Sequence, residues 1–150
     1  QLAHPNGLVI DVAGEASILM NIQEMSTIKQ YRLPVKIFIL NNHYMGMVRQ
    51  WQELMLGNRL SESYMDSLPD FVKLAESFGA TGLRATVPSD VDLLIKEMIK
   101  TKGPVICDVV VDPKENCFPM IPSGSTHDQM LLGPDDKLEG EVSEEGMVLV

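Results

Sequence analysis

The chain has 150 residues, 45% apolar and 22% charged, and its 12 basic and 21 acidic side chains leave a net charge of −9. Such values suit one globular domain around one core and argue against disorder. The acidic balance disfavours nucleic acid and anionic membranes as partners, and no apolar run approaches the ~20 residues that span a bilayer.

Cys107 and Cys117 are the only cysteines. Neither belongs to a Cys-x-x-Cys pair, which suits two reduced thiols in a cytoplasmic protein rather than a zinc or redox motif. The start, Gln1-Leu2-Ala3-His4-Pro5, has no initiator Met and none of the features of a signal peptide, so the chain is read as a fragment of a longer protein.

Leu8 to Ala13 reads as a buried strand and Gly14 to Ser17 as a turn. Ile18, Ile22, Met25 and Ile28 then fall three or four apart, predicting a helix from Ile18 to about Tyr31 with Ser17 as its N-cap. Leu33-Pro34 ends it. Val35 to Leu40 is a second strand, closing in Asn41-Asn42. Strand, helix and strand make a crossover unit with parallel strands.

A helix is predicted from Met47 to about Leu56, then a polar loop over 57–63. The next helix, about Leu68 to Phe78, sets Phe71, Leu74, Ala75 and Phe78 on one face, and Gly79 is its left-handed stop. Gly82 to Val87 is a short strand. Pro88-Ser89 opens a helix to about Thr101 that buries Leu94, Ile95, Met98 and Ile99. Gly103-Pro104 ends it, and Val105 to Val111 is the last strand. The fold class is therefore α/β, a three-layer sandwich with a mostly parallel sheet. From Asp112 the alternation stops, Phe118 to Gly124 reads as an ordered apolar coil, and 133–146 is acidic and expected to be mobile.

Ligands of open parallel sheets bind outside the carboxyl ends of the strands. The first two strands end in Gly14-Glu15-Ala16-Ser17 and Asn41-Asn42, and adjacent parallel strands would set these turns side by side. Small residues at Gly14, Ala16 and Ser17 let backbone N–H groups approach phosphate oxygens. Glu15 offers a carboxylate, Asn42 an amide oxygen, and Tyr44 is a candidate for a main-chain carbonyl. With diphosphate oxygens and water these would complete a Mg²⁺ octahedron. Gly-Glu-Ala-Ser is also a common strand–helix turn and Asn-Asn a common loop dipeptide, so a purely structural role stays open at this point. A dinucleotide site is disfavoured, since no Gly-x-Gly-x-x-Gly follows the first strand. In the next segment Gly46 permits close backbone approach, whereas Met47 and Trp51, at i and i+4, equally fit a helix core.

As a whole the chain resembles the C-terminal, thiamine-diphosphate-binding domain of the acetolactate synthase (acetohydroxyacid synthase) catalytic subunit. The resemblance is carried by Ala13-Gly14-Glu15-Ala16-Ser17, Leu40-Asn41-Asn42, Gly46-Met47-Val48-Arg49-Gln50-Trp51, Leu68-Pro69-Asp70-Phe71-Val72-Lys73-Leu74-Ala75 and Pro119-Met120-Ile121-Pro122-Ser123-Gly124. It implies a thiamine-diphosphate-binding fold with a partial diphosphate domain over 1–111, a C-terminal arm over the active-site channel at 112–132, and an acidic tail at 133–150.

The resemblance further implies that Glu15, Asn42 and the Tyr44 carbonyl hold Mg²⁺. Gly14, Glu15, Ala16, Ser17, Asn42, Tyr44, Gly46 and Met47 would bind the cofactor, and Met47, Trp51 and Ser123 would border the substrate channel. The implied reaction condenses pyruvate with pyruvate or 2-oxobutyrate through a thiamine-diphosphate carbanion, in branched-chain amino-acid biosynthesis. No catalytic acid or base is expected in this chain. In the family the glutamate that activates the cofactor belongs to the N-terminal pyrimidine-binding domain of the partner subunit, and FAD to a central domain absent here.

The full-length protein would be a homo-oligomer, dimer or tetramer, open to a regulatory subunit. The isolated chain is expected to be inactive, to bind the cofactor weakly or undetectably, to self-associate, and to leave Trp51 and the Phe118–Gly124 arm partly exposed or reordered. Glu15 stands where the family usually has aspartate. The extra methylene is expected to weaken Mg²⁺ binding or to favour Mn²⁺ or Ca²⁺. Other readings are a different thiamine-diphosphate carboligase or oxidase, or a non-catalytic α/β module.

Overall fold

The computed structural model describes residues 1–136; most of the acidic stretch, from 137 onward, lies outside the described residues. The elements run β1 (Ile10–Gly14), α1 (Glu15–Met20), α2 (Glu24–Tyr31), β2 (Lys36–Asn41), α3 (Gly46–Leu54), α4 (Phe71–Ser77), β3 (Thr81–Ala85), α5 (Pro88–Lys100) and β4 (Val105–Val110). The described residues form two compact units, Gln1–His43 with Asp66–Asp112, and Tyr44–Met65 with 113–136.

In the first unit, four parallel strands stand in the order β1-β2-β4-β3. Alternate residues of a strand share a face. On one face Ile37 and Ile39 of β2 and Ile106 of β4 pack with Ile18, Met25, Phe71 and Ala75 from α1, α2 and α4. On the other, Val105, Cys107 and Val109 of β4 pack with Leu94 and Met98 of α5. Helices on both faces of a parallel sheet make the expected three-layer α/β architecture. Gly82 lets α4 lie close against β3, since a Cβ there would sit 2.7 Å from the Val72 Cα and carbonyl oxygen. Gly79, at φ +68°, provides the predicted left-handed stop after α4.

Several expectations need correction. β1 is not a buried strand: it is the sheet edge, and Ile10 and Val12 are 42% and 64% exposed because α5 packs over β3 and β4 on that face rather than over β1. The single helix expected over 18–31 is two. At the break the chain tightens to i→i+3 bonds, from Asn21 N–H to the Ile18 carbonyl and from Glu24 N–H to the Asn21 carbonyl. The Asn21 side chain also donates to the Ser17 carbonyl at 3.3 Å, the local competition that makes asparagine a poor helix-interior residue. α4 starts at Phe71 rather than Leu68, because the Asp70 carboxylate caps it by accepting from the Val72 and Lys73 N–H groups. In α5, Ile99 is exposed rather than buried.

Lys36 and Cys107 are both buried in this unit. The Lys36 ammonium donates to the Thr101 and Gly103 carbonyls just past α5, a favourable place for a cation. Burial lowers the Lys36 pKa, partly countered by Cys107. Burial pushes the Cys107 thiol up to about 11, partly countered by Lys36.

The linkage follows from the signs. The unfolded thiol loses its proton near pH 9.0 and the folded one near 11. Cys107 therefore contributes no pH dependence below ~9 and lowers stability between ~9 and ~11. Lys36 acts oppositely: its charged form is disfavoured in the fold, and that cost is relieved as pH rises toward 10.5. Between about pH 8 and about pH 10.5 the unfolding free energy in urea should thus drop more for the parent than for Cys107→Ala, by on the order of 2 kcal/mol. Parallel drops for the two proteins would contradict this.

In the second unit, Tyr44 bridges to Tyr64, with ring centroids 5.0 Å apart. The Arg49 guanidinium lies 5.4 Å from the Tyr44 ring centroid.

Candidate functional site

The two turns singled out by sequence meet as expected. β1 and β2 are hydrogen-bonded parallel neighbours, and their register ends on Gly14 opposite Leu40. Glu15 and Asn41 therefore leave the same end of adjacent strands.

Gly14 caps α1, and Glu15 is the first helical residue. Ser17 is not the N-cap but the third residue of α1. Its hydroxyl accepts from the Gly14 N–H and donates to the Gly14 carbonyl, each at 2.9 Å, which locks the strand-to-helix turn. Ala16 is half-buried beside it. Glu15 is only 1% exposed, and its Oε1 meets no hydrogen-bond donor among the described residues. Leaving a buried carboxylate oxygen unsatisfied is costly, and a cation is a partner that satisfies it.

At the end of β2, Asn41 is buried and Asn42 half-buried. The Asn41 Nδ2 donates to Asp108 Oδ1 at 2.9 Å, and its Oδ1 accepts from the His43 N–H at 3.2 Å. Arg84 Nε donates to Asp108 Oδ2 at 2.9 Å, and the Arg84 guanidinium also reaches Asp70 Oδ1 at 2.8 Å. The two carboxylates raise the Arg84 pKa against the opposing effect of burial. Asn41, Asp70, Arg84 and Asp108 line one groove at the strand ends. Their joint role was not read from sequence, where Asn41 and Asp70 stood only within the motifs that carry the resemblance.

Tyr44, Gly46, Met47, Trp51 and Ser123 belong to the second unit. In α3 the usual burial pattern is inverted: Arg49 and Gln50 are buried, while Met47, Val48 and Trp51 are 52%, 45% and 44% exposed. Met47 and Trp51 thus lie outside the core formed by the described residues. Gln50, another residue without an assigned role in the sequence reading, grips the arm. Its Oε1 accepts from the Cys117 N–H at 2.7 Å, and its Nε2 donates to the Cys117 carbonyl at 3.1 Å. Arg49 adds a bond to Asn116 Oδ1 at 3.2 Å and an ion pair with Glu53 at 2.7 Å. Farther along, Phe118 is half-buried, Pro122 buried, and Ile121 and Ser123 exposed. This stretch is thus partly exposed among the described residues.

Among the described residues there is no group of three or more His, Cys, Asp and Glu that could hold a metal. That excludes a zinc-type cage there but not the ligand set expected above, which has one carboxylate. The orphaned Glu15 oxygen fits a hard divalent cation, whose other ligands would be an amide, a carbonyl, phosphate and water.

A parallel α/β sheet with a buried, unsatisfied carboxylate at its strand ends has the construction of a cofactor-anchoring domain. Comparison with known proteins gives that class a name. The profile of the thiamine pyrophosphate enzyme, C-terminal TPP binding domain, matches residues 1–109, and the chain belongs to this family. It is 47% identical over 132 residues to the acetolactate synthase large subunit of Cyanidium caldarium, covering 87% of this chain and 23% of that protein. It is 46% identical over 133 residues to the acetolactate synthase large subunit of Haemophilus influenzae, covering 88% and 23%.

Among solved structures, the thiamine diphosphate-dependent 4-hydroxybenzoylformate decarboxylase of Rhodococcus jostii RHA1 superposes with a TM-score of 0.68 at 29% identity, covering 75% of this chain and 21% of that one. The chain thus spans about a quarter of the length of the relatives it matches. No helix among the described residues is long and apolar enough to cross a membrane.

Proposed function

We propose that this chain is the cofactor-anchoring part of an acetolactate synthase large subunit, joining pyruvate to a second pyruvate or to 2-oxobutyrate. The observation that carries the proposal is the buried Glu15 carboxylate, with an unsatisfied oxygen, at paired strand ends of a family whose members bind thiamine pyrophosphate.

Glu15, the Asn42 amide and the Tyr44 carbonyl would hold Mg²⁺, and Gly14, Ala16, Ser17, Gly46 and Met47 would border the cofactor. Bound thiamine diphosphate supplies an electron sink for decarboxylating a 2-oxo acid and passing its two-carbon remainder to an acceptor. This chain's part is to anchor the diphosphate and to shape the acceptor channel. The exposed Met47 and Trp51 suit the latter, and so does the arm in which Ser123 lies. Such apolar walls exclude water from reacting carbon. The rest of the longer protein would bring the activating acid and FAD. In this reading the protein is a cytoplasmic homo-oligomer that accepts a regulatory subunit, and this stretch alone is inactive.

The test is product analysis with the natural full chain, thiamine diphosphate and Mg²⁺. Pyruvate should yield acetolactate, and added 2-oxobutyrate should compete as the preferred acceptor. Trp51→Leu should lower that preference by roughly 10-fold, since one apolar pocket contact discriminates by about that much. Free aldehyde, with no new carbon–carbon bond formed, would place the protein with the decarboxylases, and no cofactor binding at all would leave only a non-catalytic module.

A further inference from the structure

We infer that Asp108, acting through Asn41, is a positioning residue for the turn that carries Asn42. The inference rests on the cofactor reading above but assigns a role to residues that reading does not use.

Asn41 of β2, Arg84 of β3 and Asp108 of β4 lie on one sheet face, because Ile39, Asp108 and Arg84 are aligned across the three strands and Asn41 follows Ile39 by two. Asp108 is 2% exposed. Its two oxygens are divided: one accepts from Arg84, the other from Asn41 Nδ2. Arg84 is held in turn by Asp70, the cap of α4. A buried carboxylate is thus fully partnered, and its surroundings tie three strands and a helix to one amide.

That amide is used at both ends. With Nδ2 on Asp108, Asn41 Oδ1 must face the His43 N–H, which it accepts at 3.2 Å. Asn42 is therefore enclosed in a turn closed by the Asn41 side chain. A flipped amide would set its oxygen against the carboxylate and its NH₂ against the His43 N–H, so Asp108 fixes the orientation. His43 sits at φ 61°, the left-handed region that side-chain-bearing residues rarely adopt. A conformer of that kind persists where its surroundings determine it, and the Asn41 bond is one such restraint. The main-chain carbonyl of Asn41 is also tied, accepting from the Val111 N–H at 2.9 Å.

A network that only joined strands would affect stability alone. A network that aims Asn42 should change what the metal needs. The experiment measures thiamine diphosphate binding calorimetrically across a Mg²⁺ titration in the natural full chain, for the parent, Asp108→Asn, Asn41→Ala and the double variant. Thermal melts without metal are run beside it. Each single variant should raise half-saturating Mg²⁺ by about 10-fold, the scale for residues that orient metal ligands. The double variant should be no worse than the worse single one, since both cut the same link. The rise should be smaller with Ca²⁺, which tolerates irregular geometry better than Mg²⁺.

Unshifted half-saturation in folded variants, or additive shifts, would overturn the inference. So would loss of the metal-free fold in Asn41→Ala, which would make the link part of the scaffold. Glu15→Ala serves as the reference: if it binds the Mg²⁺ complex like the parent, the cofactor reading itself fails. If Glu15→Ala loses binding while Asn41→Ala is unshifted, only the positioning role fails.

Discussion

Glu15→Ala is expected to weaken Mg²⁺-supported binding of thiamine diphosphate by roughly 100-fold or more, without weakening the metal-free fold. Substitution of groups that merely orient metal ligands costs about 10–100-fold, and Glu15 would be the one carboxylate directly on the metal. The second half of the expectation separates function from architecture. A buried side chain serving the fold should have partners, and its loss should destabilise. Glu15 is 1% exposed with Oε1 unsatisfied among the described residues, so its removal relieves a desolvated charge. The metal-free melting temperature of Glu15→Ala should equal or exceed that of the parent, as happens where a site is strained for function. Glu15→Asp should retain binding and lower the Mg²⁺ requirement several-fold, because Mg²⁺ tolerates little departure from ideal ligand placement and the extra methylene is the departure from the family's usual residue. Calorimetric titration of the natural full chain, with melts beside it, reads both halves. A large drop in metal-free stability would instead make Glu15 a structural residue.

What the sequence reveals follows from how local each determinant is. β4 opens on an apolar run, Val105-Ile106-Cys107, and lies buried between β2 and β3. Leu8-Val9-Ile10 looks the same, yet β1 is an edge, because a strand's neighbours are not written in its own residues. The α1–α2 break is hidden for a related reason: Ile18 and Met25 enter one core from both helices, so the apolar period runs on across the bend.

The strand-end turns were legible because small residues, a carboxylate and amides fall where parallel sheets bind ligands. The groups that hold them were not. Asn41 meets Asp108, and Gln50 meets Cys117, each 67 residues away along the chain. Arg49 and Gln50 look like solvent-facing residues of an amphipathic helix, and only those distant partners explain why they are inside while Trp51 is not.

The largest loss of stability is expected for Phe71→Ala. Phe71 opens α4 and is 1% exposed, in the cluster that contains Ile37, Ile39, Ala75 and Ile106. Truncation removes the buried ring and leaves a cavity, which together cost about 3–5 kcal/mol for phenylalanine. The site is poorly able to collapse. α4 already lies so close to β3 that Gly82 has no room for a Cβ beside the Val72 backbone, and Asp70 fixes the start of the helix through two N–H groups. The cost should therefore fall at the upper end of that range. Val12→Ala gives the contrast: at 64% exposure on the edge strand it should change stability by no more than ~0.5 kcal/mol. Urea unfolding followed by circular dichroism distinguishes them, provided the denaturant slope is unchanged between variants. A Phe71→Ala midpoint close to that of Val12→Ala would show that the α4–sheet interface is not the main source of this unit's stability. The same variant also reports on the site, since α4 carries the Asp70 carboxylate that holds Arg84. If α4 loosens before the sheet does, Phe71→Ala should raise the Mg²⁺ requirement at temperatures well below its own melting point.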